Sequence, residues 1–204
     1  MPSIGATCAT EKQMKQMTET KEVNRNGVNV TALKGAMDAI SRDSTLANFV
    51  FRSKNMWLDG GHNRSTISGF YGVGGEQQRE TSFVMDADEP FVLLGFDRGA
   101  NPVEFVLHAL AACVTTTAVY HAAARGIRID EIESRLEGDL DIRGLLAMPG
   151  AARNGYEQIT FKMKIKGDGT PEQLEEIVRF GQAHSPVFDI VSNGTKVNVE
   201  VMKD

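Results

Sequence analysis

Apolar residues change their spacing several times along the chain, and each change marks an element. Residues 1–25 are polar, rich in Lys, Glu, Thr and Gln and without an apolar period, which predicts a loosely packed N-terminal tail. In VNVTALKGAMDAISR, 28–42, Val30, Leu33, Met37 and Ile40 recur at helical spacing and predict an amphipathic helix, weakened by Gly35. From 47 to 95 the period shortens. ANFVFRSKNMWL alternates in part, STISGFYGV follows the turn-like DGGHN, and ETSFVMDADEPFVLLG gives two short apolar runs split by DADEP. This predicts a meander of antiparallel strands, with Asp86 and Asp88 as turn residues. GVGGEQ, 72–77, lies between strands and opens no helix, so it reads as a hairpin loop and not as a phosphate cradle.

Pro102 to Arg125 is apolar on nearly every side, which predicts a helix buried on most faces. Its ends carry their own signals. Asn101 can cap the free amides, Pro102 suits the first helical position, and Gly126 can stop the chain. Two long alternating runs follow, IRIDEIESRLEGDLDIRG and YEQITFKMKIKGD, joined by the loop GLLAMPGAARNG, whose apolar start, 144–150, could cover a pocket or pack on a partner subunit. Thr170-Pro171-Glu172-Gln173 is a capping box opening a second helix through Leu174, Ile177, Val178 and Gly181. Ser185-Pro186 opens a third, and TKVNVEVM, 195–202, predicts a last strand. Strands, a central helix, long strands, helix and strand make an α+β chain with helices on antiparallel sheet. The expected division is an N-terminal tail and helical arm, 1–46, and one domain, 47–204.

Charge and composition narrow the function classes. Net charge is −5 and the pI is near 5.4, which argues against a nucleic-acid surface. The long stretch without charge, Glu104 to Arg125, is broken by His, Thr and Tyr and bounded by Pro102 and Gly126, so it reads as a core helix and not as a membrane span. No secretory signal opens the sequence, and Cys8 and Cys113 are too few for a disulfide scaffold, which points to a cytoplasmic protein. His62, His108, His121 and His184 lack metal-ligand spacing and read as polar surface or interface residues, so neither a metal nor another cofactor is expected.

Cys113 sits in an Ala-rich run, between Ala109 and Leu110 on one side and Thr116 and Thr117 on the other. A thiol needs a cationic or hydrogen-bonding environment to act as thiolate. His108, five residues earlier, lies about 140° away around the helix, and His121 lies two turns on, so the helix cannot activate the thiol alone. Any partner must come from another segment or another subunit.

NPVEFVLHALAACVTTTAVYHAAARGI, 101–127, resembles the central helix of the OsmC/Ohr family of thiol-dependent hydroperoxide reductases. The upstream DEPFVLLGFDRGANP and the downstream AHSPV and VNVEV fit the same pattern, so the resemblance covers about 47–202. It implies an intertwined homodimer with two β-sheets around central helices and active sites at the subunit interface. In the family's peroxidases one cysteine attacks the O–O bond, a second in a Cys-Pro step resolves it, and an Arg and a Glu hold the thiolate. Cys113 matches the attacking cysteine. Ser185-Pro186 stands where Cys-Pro would be, so no disulfide can form there. Val103 falls where the strict reductases have Glu, and Glu104 is the acid that other branches carry. Arg64 is the match for the arginine, with Arg52 and Arg98 as substitutes.

Two functions follow. One is a single-cysteine peroxidase for organic hydroperoxides, regenerated by an external thiol reductant, with Phe105, Leu110, Tyr120 and Trp57 lining an apolar interface pocket. In that case Cys8 could resolve Cys113 only by folding over the site. The other is a non-catalytic relative that binds a small apolar ligand at the dimer interface, with Cys113 as packing.

Overall fold

The computed structural model describes residues 22–150 and 153–202; Cys8 and most of the expected tail lie outside them. A small hairpin comes first, strands β1 (Asn24–Arg25) and β2 (Val28–Asn29). Its turn is fastened to the body of the protein: Asn26 Nδ2 donates to the Ile127 carbonyl and its Oδ1 accepts from the Ile129 amide, both at 2.9 Å. Helix α1 (Val30–Arg42) starts two residues later than its apolar period suggests, because Asn29 is spent as the cap, accepting from the Ala32 amide. Only Val30 of its apolar stripe is buried; Met37 and Ile40 stay exposed.

The predicted meander forms as two sheets. Strands β3 (Lys54–Asp59), β4 (His62–Ile67) and β7 (Phe83–Ala87) pair antiparallel in the order β3-β4-β7. Strands β5 (Phe70–Gly72) and β6 (Gly75–Gln77) make a separate hairpin, so most of GVGGEQ is strand and only Val73 and Gly74 turn between the two. The second apolar run after DADEP is not a strand. Phe91–Leu93 is a single 3-10 turn, with Phe91, Val92 and Leu94 exposed. The reason is Asp88. Its carboxylate is fully buried and accepts from the amides of Glu89, Phe96 and Arg98 at 2.8, 3.2 and 3.3 Å, which folds the chain back as a loop.

Helix α2 (Pro102–Ala124) begins as its sequence dictates. Asn101 accepts from the Val103 amide, Glu104 Oε2 accepts from the Asn101 amide at 2.8 Å, and Pro102 occupies the first helical position. Gly126, at φ +75°, ends it. Strands β8 (Ile129–Asp139) and β9 (Gln158–Gly167) form a long antiparallel ribbon. Helices α3 (Pro171–Ala183) and α4 (Pro186–Asn193) follow, capped by Thr170 and Ser185. The core lies where α2, α3 and the ribbon meet: Ala118, Ala122, Ile127 and Ile177, with Ile129, Ile165 and Leu174 around them.

Two expectations fail in the single chain. By length and composition α2 could cross a bilayer, but one of its faces is covered by α3, α4 and β8. Among the described residues the opposite face is open, so the helix is not buried on most sides: Leu110, Val114, Ala118 and Ala122 are buried, while His108, Ala112, Thr116 and Tyr120 face solvent. Among the described residues the expected last strand does not pair either. Residues 194–200 carry no strand pairing, and Val197, Val199 and Val201 are 79–85% exposed.

Candidate functional site

Cys113 lies on the flank of α2 between the buried and the open face. Phe105, Ala109, Cys113, Thr117 and His121, each four residues from the next, are all half-buried and form that flank. The Thr117 hydroxyl donates to the Cys113 carbonyl at 2.9 Å. Among the described residues no side chain forms a hydrogen bond with the sulfur.

Beside this flank is a cavity of about 530 Å³, walled by Val106 and Leu110 of α2, Ile159 and Phe161 of β9, and Phe188 and Val191 of α4. Its α2 wall ends at Leu110, one turn before Cys113. Val106 and Cys113, seven residues apart, point within about 20° of each other. The walls are hydrocarbon; Arg153, Glu157 and Ser192 add polar groups. The Tyr156 hydroxyl donates to the Val103 carbonyl at 3.0 Å, and burial, then the Glu104 charge, raise its pKa.

Residues 95–200, just over half of the chain, match the family model described as OsmC-like protein. This chain belongs to the OsmC-like family. No curated protein matches it. Among solved structures, it is similar to an OsmC-like protein from Mycoplasma pneumoniae, at 18% identity and a TM-score of 0.54, covering 74% of this chain and 95% of that one. It is also similar to a hypothetical protein from Aquifex aeolicus VF5, at 18% identity and a TM-score of 0.50, covering 72% and 89%. These likenesses show the OsmC-like fold, an α+β arrangement with antiparallel sheets and a central helix.

Against the OsmC-like pattern, the expected site residues scatter within one protomer. Ser185 is 2% exposed, and its Oγ accepts from the Phe188 amide at 3.1 Å, so the position of the family's second cysteine is a helix cap here. Glu104 is spent in the cap of α2, nine residues and about 13 Å of helix rise from Cys113. The three candidate arginines are all paired elsewhere. Arg52 makes two bonds to Glu76, Arg64 two to Asp86, and Arg98 stacks on Phe96 and reaches His62 and Asp59. Side chains alternate along β4, so Arg64 is on the face away from α2: Asn63 and Ser65, on either side of it, line a cavity of about 290 Å³ with Phe105. The four expected lining residues do not share a pocket in one chain. Leu110 walls the 530 Å³ cavity, Phe105 the 290 Å³ one, and Tyr120 an open groove of about 540 Å³ against the N-terminal hairpin and α1. Trp57 is 72% exposed and donates from Nε1 to the Gly60 carbonyl.

What the sequence did not reveal is a polar network on β4 and β7. Asp86 is not a free turn residue. It accepts from Arg64 at 2.8 and 3.1 Å and from His62 Nε2 at 3.1 Å. The Arg64 hydrogen bonds hold its carboxyl below the usual range against partial burial, with His62 adding to them. Arg98 lies 3.4 Å from His62 Nδ1, which fits the neutral ring with its proton on Nε2. His62 is thus locked between two charged groups and is not a surface histidine. At Asp88 burial raises the carboxyl pKa most, but the Glu89, Arg98 and Phe96 amides together outweigh it and the net shift is downward. A register reading of β4 against β7 would have paired Arg64 with Asp86 directly, but the DADEP turn signal hid that strand end.

Proposed function

We propose that this OsmC-like protein is a single-cysteine thiol peroxidase acting on organic hydroperoxides as a homodimer. One observation carries the reading: Cys113, at the family's reactive position, stands half-exposed one turn beyond the wall of an apolar cavity large enough for an alkyl or aryl group. The thiolate attacks the distal peroxide oxygen, the O–O bond breaks, and the alkoxide leaves as the alcohol after taking a proton. The sulfur becomes a sulfenic acid. Ser185 cannot trap it, so an external thiol condenses with it, water leaves, and a second thiol frees Cys113 from the mixed disulfide.

Two features support the homodimer. Among the described residues, the open face of α2, with Ala112, Thr116 and Tyr120, is flanked by the N-terminal hairpin and α1 but left exposed. The alternating Val197, Val199 and Val201 form an unpaired apolar edge, which natural chains rarely leave bare. None of the three candidate arginines bonds to Cys113 within its own chain, so the cation for the thiolate comes across the interface, from an arginine that leaves its own carboxylate.

Stopped-flow oxidation of Cys113 by cumene hydroperoxide tests the reading. The expected result is saturable peroxide consumption, faster than a free thiol of equal pKa and lost in Cys113→Ser. A rate equal to the free thiol would leave the second reading, a non-catalytic binder of an apolar ligand. That reading draws on the absence of any hydrogen bond to the sulfur among the described residues of one chain.

A further inference from the structure

The seam between α2 and α3 holds a feature that the peroxidase reading does not use. His121, in the last turn of α2, lies face to face on Phe180 of α3, with ring centroids 3.5 Å apart and planes 4° from parallel. The other face of Phe180 carries His184, at 3.9 Å and 15°. Two imidazoles thus enclose one phenyl ring. His184 Nδ1 lies 3.1 Å from the Phe180 carbonyl, so it donates there. His121 Nε2, in contrast, is buried and has no hydrogen-bond partner among the described residues. A buried acceptor without a partner is a modest cost. Once protonated, the same atom becomes a charged donor with no acceptor, which is far costlier.

The surroundings deepen that asymmetry. The charged and titratable groups facing His121 are Arg125, at the end of its own helix, Glu176 of α3, and His184, just past the end of α3. Glu176 is taken up by Arg125, 2.7 Å away. Burial first, then the Arg125 charge, hold the His121 pKa below the ordinary 6.5, with His184 adding to them and Glu176 opposing. Below this stack the helices cross with almost no space. A Cβ on Gly181 would lie 2.8 Å from the Val114 carbonyl oxygen and 2.9 Å from the Ala118 Cβ, so the two helices touch at backbone distance there.

We propose that the His121–Phe180–His184 stack is an acid-release latch: protonation of His121 parts the end of α3 from α2 and loosens the corner that leads into Ser185 and α4. The direction follows from the geometry. Above the ordinary histidine range the ring is neutral in both folded and unfolded chains, and the latch is closed. As pH falls below that range the unfolded chain takes up a proton that the folded seam resists, so stability drops. The corner concerned also carries the buried cap at Ser185 and, through Phe188, one wall of the cavity beside Cys113. The latch does not depend on Cys113 being reactive.

Nuclear magnetic resonance of the histidine ring protons in the full chain, from about pH 8 to about pH 5, tests this. The expected result is that His121 titrates below the ordinary histidine range and that amide exchange at 180–188 quickens as it does. The urea unfolding constant should rise several-fold more on acidification in the wild type than in His121→Phe, which keeps a flat ring but cannot take a proton. A His121 titration at the value of a free histidine, or an undiminished acid response in a folded His121→Phe, overturns the proposal. If His121→Phe does not fold, the wild-type titration and exchange decide it alone.

Discussion

Asp88 shows how one side chain can organise a segment. It has no exposed surface, yet it is ionised, because three backbone amides take the place of water. Its folded pKa is depressed, so it contributes stability above the pKa of a free carboxyl and loses it as pH falls through the lower folded value. In Asp88→Asn one acceptor becomes a donor facing donors. The expected outcome is faster hydrogen exchange at the Phe96 and Arg98 amides and a flatter acid limb in the stability curve, both measurable at constant temperature. Ser185 works at the same scale. Its side chain satisfies one amide at the start of α4, and Ser185→Ala should cost about 1 kcal/mol in urea unfolding, with no change in the number of reactive thiols.

At the scale of elements, glycine decides two contacts. Gly181 lets α3 lie against α2 at backbone distance, and Gly138 makes room for the Tyr156 ring, where a Cβ would approach to 2.5 Å. Gly181→Val forces the two helices apart and should destabilise the chain by about 1–3 kcal/mol, read as a lower urea midpoint with an unchanged slope. The helices themselves were legible in the sequence. Asn101, Pro102 and Gly126 bound α2, and the Thr170–Gln173 box opens α3. The second apolar run after DADEP was not, since its loop conformation depends on amides up to ten residues from Asp88. The ribbon has its own charge order: Lys164 first, then Lys166, hold the Glu131 carboxyl down to about 2. That exposed network orders side chains more than it stabilises the fold.

For the whole molecule, the open face of α2 and the unpaired 194–202 segment set the expectation of self-association. Tyr120→Lys places a charge in that face without touching the buried stripe. Sedimentation velocity should show a dimer for the wild type and a monomer for the variant; a wild-type chain that stays monomeric at all concentrations would remove the dimer from the proposed mechanism. Peroxidase activity should fall as dimerisation is lost, because the thiolate draws its cation from the second protomer.

Local hydrogen-bond needs and side-chain period fixed much of this protein from sequence: the helix starts and stops, the strand alternation, and the family motif around Cys113. These are short-range requirements, met within a few residues by caps, turns and pleats. Orientation was decided only by tertiary structure. A helix apolar on every side carries no record of which face will be covered, so the placement of Cys113 on a half-buried flank came from the crossing with α3. The same holds for Arg64, turned from α2 by its strand partner Asp86, and for His121, whose ring found Phe180 across fifty-nine residues of chain.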